Sequence, residues 1–369
     1  MAYPELLYQI ALTQVPQIGD VHARILLQHY GSASAVFGAK MSELEKLEGI
    51  GTVRARALRG FSDFAALEKE LHFIERYSVN TYFLTDPSYP KRLLQCYDPP
   101  VLLFGKGDID LNAQRLVAVV GTRHPTDYGR RWTETFVEAL APLGVTIVSG
   151  LAFGIDAAAH KAALKHNIPT IGVVGHGLAR VYPQEHTAMA RNMVRAGGGL
   201  LTEFLSGTDP DKHNFPLRNR IVAGLSDCVV VVETAEKGGS MITARVADGY
   251  NRDVFAVPGR VGDKQAGGCN LLIRTNKAQL LTSAEEFVEA MGWNERTVAT
   301  PAVQQKSLFT DLSEPEQQLL ALLSDDQSIH IDELNLRSGL RTSEVAALLL
   351  ELELKGAVRS LPGKQYKLA

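Results

Sequence analysis

The sequence is poor in cysteine and long apolar runs and carries no excess of positive charge, and each scarcity excludes a class of protein. Only three cysteines occur, Cys96, Cys228 and Cys269. They are far apart and form no CxxC pair, so neither a disulfide framework nor a zinc site is expected, and a reducing cytoplasm fits. No apolar stretch approaches the roughly 20 residues of a membrane span. The longest, Leu116–Val120 and Cys228–Val232, are of strand length. The opening segment MAYPELLYQI lacks a basic leader and a small-residue cleavage site, so no signal peptide is expected. His176 and His186 are too scattered for a metal triad, and no Ser–His–Asp or Cys–His signature is evident. The fingerprint GxGxxG is absent as well, which argues against a nicotinamide cofactor; no cofactor and no metal are expected.

Lysine and arginine number 38 against 41 aspartate and glutamate, a net charge of −3. A DNA-binding domain is often strongly basic, so this balance is a mild argument against nucleic acid. It is not decisive, because phosphate binding needs donors on only one face. What the chain does have is bulk. Its 369 residues are 45% hydrophobic and 21% charged, enough for one large core and one or two small ones in an ordinary globular protein.

Four segments separate by pattern. Residues 1–80 read as a small helical domain, residues 81–295 alternate strand-like runs with helical segments, residues 296–312 read as a linker, and residues 313–369 as a winged helix. In the second segment, RLVAVV (115–120), VTIV (145–148), TIGVV (170–174), residues 199–202, DCVVVV (227–232) and DVFAV (253–257) are strands with helices between them. Such alternation means βαβ units and a parallel sheet, and the nearly continuous apolar strands mean a sheet covered on both faces. The fold class expected is α/β, a Rossmann-like parallel sheet flanked by the helical and winged-helix domains. Ligands of such sheets sit at the carboxyl ends of the strands.

Several loops at that edge suit an anion. Gly121-Thr122-Arg123 follows the first of these strands and leads to a helix N-terminus, where Arg123 can fork onto a phosphate. The alternative is a plain turn with a solvated arginine. Ser149-Gly150 ends the next strand, and its backbone faces the same edge; Gly154 follows two residues past an apolar pair. Asp156 reads as a helix N-cap and His160 as a packed side chain. Asn214-Phe215-Pro216-Leu217-Arg218-Asn219-Arg220 places an aromatic and two arginines beside a proline turn, with Lys212 and His213 upstream. Phe215 is expected to stack a base and Arg218 and Arg220 to hold adjacent phosphates. The alternative is a salt bridge from these arginines to Glu203 or Glu233. Gly238-Gly239-Ser240 opens a further helix with turn amides that suit an anion. Arg260, beyond Pro258-Gly259, is a weaker candidate.

The terminal segments are less decided. Val15–Gly19 and Leu47–Gly51 are hairpins that lead into helices, and Arg54, Arg56 and Arg59 lie on the second. A helix–hairpin–helix that offers amides to phosphate and a plain packing module fit equally well. The winged helix carries 10 acidic against 6 basic residues over 311–369, and its recognition helix bears Glu344, Glu351 and Glu353. That surface repels phosphate, so a protein-contact or accessory role is expected.

Taken in order, VVGTRHPTDYG, SGLAFGIDAAAH, VYPQEH, FPLRNRIVAGLSDCVVVVE, GGSMITA and VFAVPGR resemble the DNA-processing A (DprA/Smf) family over residues 85–368. The resemblance implies binding of single-stranded DNA during natural transformation, loading of the RecA recombinase, and a homodimer through the Rossmann-like core. By matching position, the DNA pocket it implies takes in Gly121, Arg123, Ser149, Gly150, Phe215, Arg218, Asn219, Arg220, Gly239 and Ser240. Gly239 stands where many members have an SGS turn, and residues 273–276 depart from a glycine-ended segment. Two competing functions remain. A phosphoribohydrolase would follow its glycine loop with a glutamate, but here Ala244-Arg245 follows, so no enzyme is expected. An interaction adaptor would draw on the acidic winged helix.

Overall fold

Short β-branched runs build the centre of the molecule. The computed structural model describes residues 3–293, 312–323 and 328–368. The linker read over 296–312 lies outside the described residues but for Leu312. The chain divides into two compact units, Met1–Leu280 and Leu281–Ala369.

In the first unit a sheet of nine strands runs β1 (Asn80–Phe83), β2 (Leu102–Gly107), β3 (Arg115–Val120), β4 (Val145–Ser149), β5 (Thr170–Val173), β6 (Gly199–Thr202), β7 (Cys228–Val231), β8 (Asp253–Ala256) and β9 (Gln279–Leu280). Their order in space is β1-β2-β6-β5-β4-β3-β7-β8-β9. β6 through β9 in that order pair in parallel, whereas β2 is antiparallel to both β6 and β1. The two antiparallel strands β1 and β2 escape a sequence reading of βαβ units, because no helix of ten residues separates them. β3, β4 and β7 are buried on both faces, as their valine and isoleucine content requires. Leu116, Ala118 and Val120 share a core with Ile221, Val222, Met241 and Ala244. Helices Asn214–Leu225 and Ser240–Gly249 supply the last four and pack against each other.

The chain steps from β3 outward through β4, β5 and β6, then crosses to β7 on the other side of β3. That reversal is the switch point of a doubly wound sheet, where the loops diverge and leave a crevice.

One segment differs from its sequence reading. Residues 214–220 are the first two turns of the helix Asn214–Leu225, not a proline turn. Proline is tolerated in a first helical turn, where its missing N–H has no partner to lose. The consequence is geometric: Arg218 and Arg220, two apart on a helix, point to opposite sides.

The helices Asp20–Tyr30 and Gly51–Gly60 of the N-terminal part follow the two expected hairpins. Arg54 donates to Gln17 O (3.1 Å) and Gly49 O (3.3 Å), and Arg59 to Phe37 O (2.9 Å), so two of the three arginines there brace backbone carbonyls. Glu70 accepts from Ser206 N at 2.9 Å and Ser206 Oγ at 2.7 Å, tying this part to the sheet.

The second unit holds the winged helix. Helices Glu314–Ala321, Ile331–Ser338 and Thr342–Leu354 pack on a sheet of Ile329–His330, Gln365–Leu368 and Val358–Leu361. Leu319, Leu334, Val345, Leu349 and Leu352 form its core.

Candidate nucleic-acid interface

A cavity of about 520 Å³ opens at the switch point, and the loops after β3, β4 and β7 bound it. Three helices begin at this cavity: Ile155–Lys165, Asn214–Leu225 and Ser240–Gly249. The positive ends of their dipoles make the cavity favourable for an anion before any side chain is counted.

The loop after β3 is stapled on both sides. Thr122 N donates to Glu233 O (2.7 Å) and Ile155 N donates to Thr122 O (3.1 Å). Arg123 is thereby held at the rim, exposed to solvent, with its guanidinium carbon 5.5 Å from the centroid of the Phe215 ring. Lys212 is exposed on the same rim. Phe215 and Asn219 are half-buried and line the wall.

Below them lie two buried groups of opposite charge, Arg218 and Asp156. Arg218 reaches under the loop after β4 and donates to Val173 O. Asp156 is its charge partner, and its Oδ2 accepts from Gly150 N (3.1 Å) and Ala152 N (3.3 Å). Asp156 is therefore not the N-cap read from the sequence; it turns back onto the preceding loop from the first helical turn. Burial raises the Asp156 carboxyl above its ordinary value, and the attraction of Arg218 only partly offsets this. Burial also lowers the Arg218 guanidinium to about 10, so it stays charged at neutral pH. Gly150 cannot be replaced without a clash, because a Cβ there would overlap the Arg218 guanidinium. Gly239 and Ser240 complete the far wall, and the buried Ser240 hydroxyl has no hydrogen-bond partner among the described residues.

Of the residues read from the sequence, the structure brings together Gly121, Thr122, Arg123, Gly150, Lys212, Phe215, Arg218, Asn219, Gly239 and Ser240. Three lie elsewhere. Ser149 Oγ is buried and donates to Val119 O at 2.6 Å. Gly154, at φ +84°, makes the close approach to Thr122 O that no residue with a Cβ could make, so it shapes the cavity without lining it. Arg220 points to the opposite side of its helix, where it bonds Asp98 O and pairs with Glu203 and with Asp20 Oδ2 (2.9 Å). The salt-bridge alternative to Glu203 is the arrangement found, and the expected phosphate contact of Arg220 is corrected accordingly. Residues that the sequence did not suggest also line the cavity: His124, Thr234, Thr243 and Gln265. Gln265 comes from the loop after β8 and donates to His124 O at 3.2 Å, a neighbourhood that no local motif marks.

Glu233 is structural. Its two carboxylate oxygens accept from Thr126 N (2.8 Å) and Thr126 Oγ1 (2.5 Å). Among the described residues there is no cluster of three or more metal-ligating side chains, and no helix is long and apolar enough to cross a membrane.

An open doubly wound sheet whose switch-point crevice carries Arg123 at its rim, an aromatic wall and converging helix N-termini defines an α/β protein with a crevice suited to an anion, and a winged helix in its second unit. The family model described as DNA recombination-mediator protein A matches residues 80–292, and the DprA winged helix domain matches residues 304–364. The chain belongs to the DNA recombination-mediator protein A family. Protein Smf of Synechocystis sp. is 34% identical over the whole of both chains. Protein Smf of Escherichia coli is 38% identical over 82% of this chain and 81% of its own. The X-ray structure of DNA processing protein A from Streptococcus pneumoniae superposes with a TM-score of 0.66 at 33% identity, covering 78% of this chain and 98% of that one. A Helicobacter pylori DNA processing protein A, solved to describe its single-stranded DNA binding mode, gives 0.53 at 32% identity over 58% of this chain and 95% of its own.

Proposed function

We propose that the chain binds single-stranded DNA in the switch-point cavity, protects it, and loads the RecA recombinase onto it. The observation that carries this reading is the pairing of the exposed Arg123 with the Phe215 ring at the mouth of an anion-favouring cavity. An arginine and an aromatic side by side match one phosphate and one base of a strand whose bases are unpaired. A duplex buries its base faces and offers Phe215 nothing to stack on. Family membership and the Helicobacter pylori relative support the same ligand. Binding rather than catalysis follows, because the acids nearest the cavity, Asp156 and Glu233, are tied to backbone amides and a threonine. We further infer a homodimer through the core and a cytoplasmic site of action; the three unbridged, buried cysteines accord with the latter.

Fluorescence anisotropy of labelled oligo-dT, single-stranded and duplex, tests the reading with wild type and with Arg123→Ala/Lys212→Ala at two salt concentrations. Tight, salt-sensitive, single-strand-selective binding that the variant loses supports it. Binding indifferent to both residues overturns the site. RecA filament assembly on protein-coated strands, with and without the chain, tests the loading step.

The winged helix has a second reading. Leu350 and Leu354, one turn apart on the Thr342–Leu354 helix, are 58% and 80% exposed beside Glu351. An apolar, acidic helix face suits a protein partner better than phosphate, so we assign this unit a protein-contact role.

A further inference from the structure

A second cavity, of about 860 Å³, lies beside the first and shares two of its walls, Lys212 and Phe215. Its own residues include Tyr182 and Arg180. We propose that this cavity is an adjoining nucleotide subsite, in which Tyr182 stacks the base next to the one at Phe215 while Arg180 and Lys212 hold the intervening phosphate. The proposal rests on the single-stranded DNA reading above.

Four observations carry it. First, Tyr182 is a large aromatic left 48% exposed at a cavity that also holds Arg180 and Lys212, so its ring is open to a ligand. Second, its ring centroid stands 6.1 Å from that of Phe215 at an interplanar angle of 33°. The rise of a stacked strand is about 3.4 Å, roughly half this separation, so the two rings serve consecutive bases of a strand drawn out of its stacked form.

Third, the backbone of Tyr182 is pinned. His176 is buried, and its Nε2 accepts from Tyr182 N at 3.2 Å. Its Nδ1 lies 2.8 Å from Gly177 O, which can only accept, so Nδ1 carries the proton and Nε2 the lone pair. Burial holds this imidazole below its ordinary value and keeps that neutral tautomer in place. A solvent-side tyrosine that merely filled space would need no such anchor.

Fourth, Arg180 pairs with Asp209 at the cavity mouth, and the two side chains are 51% and 73% exposed. A pair this open is screened and weak. A backbone phosphodiester, one negative charge shared by two oxygens, can accept both edges of the Arg180 guanidinium and take it from Asp209 at little cost, whereas the buried Arg218 could not be exchanged in this way.

The test is anisotropy with the full chain and labelled oligo-dT of two lengths, about four and about twelve nucleotides, which bracket one short site and an extended one. Tyr182→Ala is expected to weaken the longer oligonucleotide about tenfold and the shorter less than about twofold. Tyr182→Phe retains the ring and is expected to restore wild-type affinity. Asp209→Asn removes the competitor of Arg180 and is expected to tighten the longer oligonucleotide about threefold at low salt. An equal loss at both lengths in Tyr182→Ala would make the tyrosine a support for Phe215 alone and overturn the subsite, as would no loss at either length. Failure of the underlying reading looks different: wild type would bind neither oligonucleotide, or Arg123→Ala would leave both unaffected.

Discussion

The guanidinium carbon of Arg123 sits 5.5 Å from the centre of the Phe215 ring, although the two residues belong to a loop after β3 and a helix that follows β6. In the proposed reading the contact joins a phosphate donor to a stacking surface across the switch point. It makes the first prediction separable into two parts. Phe215→Ala removes about 1–3 kcal/mol of stacking for one base and is expected to weaken oligo-dT accordingly. Arg123→Ala is expected to lower the salt dependence of log affinity by about 0.7, the share of one phosphate on a single strand. Anisotropy titrations across salt concentrations read both; a Phe215 variant that changes only the salt slope would contradict the stacking role.

Arg220→Ala is expected to cost stability rather than DNA. Its loss strands Asp20 and Glu203 in a partly buried place, and breaking such a pair costs about 3 kcal/mol. The urea midpoint is expected to fall, while the salt slope for oligo-dT in folded protein stays that of wild type. A slope reduced as far as in Arg123→Ala would return Arg220 to the DNA surface.

Asp156→Ala leaves the Arg218 guanidinium buried without its countercharge and frees the amides of Gly150 and Ala152. A loss of about 3–5 kcal/mol in unfolding free energy is expected. The double variant Asp156→Ala/Arg218→Met should recover part of it, because two buried charges are then removed together. Chemical denaturation of Asp156→Ala, Arg218→Met and the double variant decides the matter, and additive losses would show that the two groups are not coupled.

His160 makes the fold sensitive to acid. Its Nδ1 lies 2.7 Å from Thr170 Oγ1, whose own proton goes to Ile147 O, so the imidazole is the donor and its buried Nε2 is bare. Burial lowers this group from 6.5 to about 3. Between those values the unfolded chain takes up a proton that the folded chain refuses, so stability falls as pH falls through that window. The loss reaches about 2 kcal/mol near pH 5. In His160→Gln the urea midpoint is expected to depend less on pH between 6.5 and 4 than in wild type; an unchanged profile would assign the acid sensitivity to other groups.

Removal of residues 313–369 is expected to leave oligo-dT affinity within about threefold of wild type, since the acidic recognition helix contributes no favourable phosphate contact. A large loss of affinity would place DNA on the winged helix.

Much of this was legible in the residues. Local apolar periodicity located β6 at Gly199–Thr202 and the helix Ile331–Ser338 to the residue, because burial on both faces of a sheet or on one face of a helix leaves a direct mark on composition. Residues 214–220 were misread because a proline two residues after an asparagine looks the same in a turn and in a first helical turn. β1 and β2 were missed because short antiparallel strands outside the βαβ alternation carry little periodic signal.

The sequence by itself determined the alternation of strand and helix, the glycines and polar residues at one edge of the sheet, and the family. Those properties are set by neighbours along the chain. Only the tertiary structure decided which arginine lines the cavity. Arg218 and Arg220 carry the same charge on the same helix, but one turns under Gly150 toward Asp156, far earlier in the chain, and the other away toward Asp20 and Glu203, 200 and 17 positions from it. Long-range contacts of this kind are assigned by the packing of helix on sheet, and no local pattern encodes them.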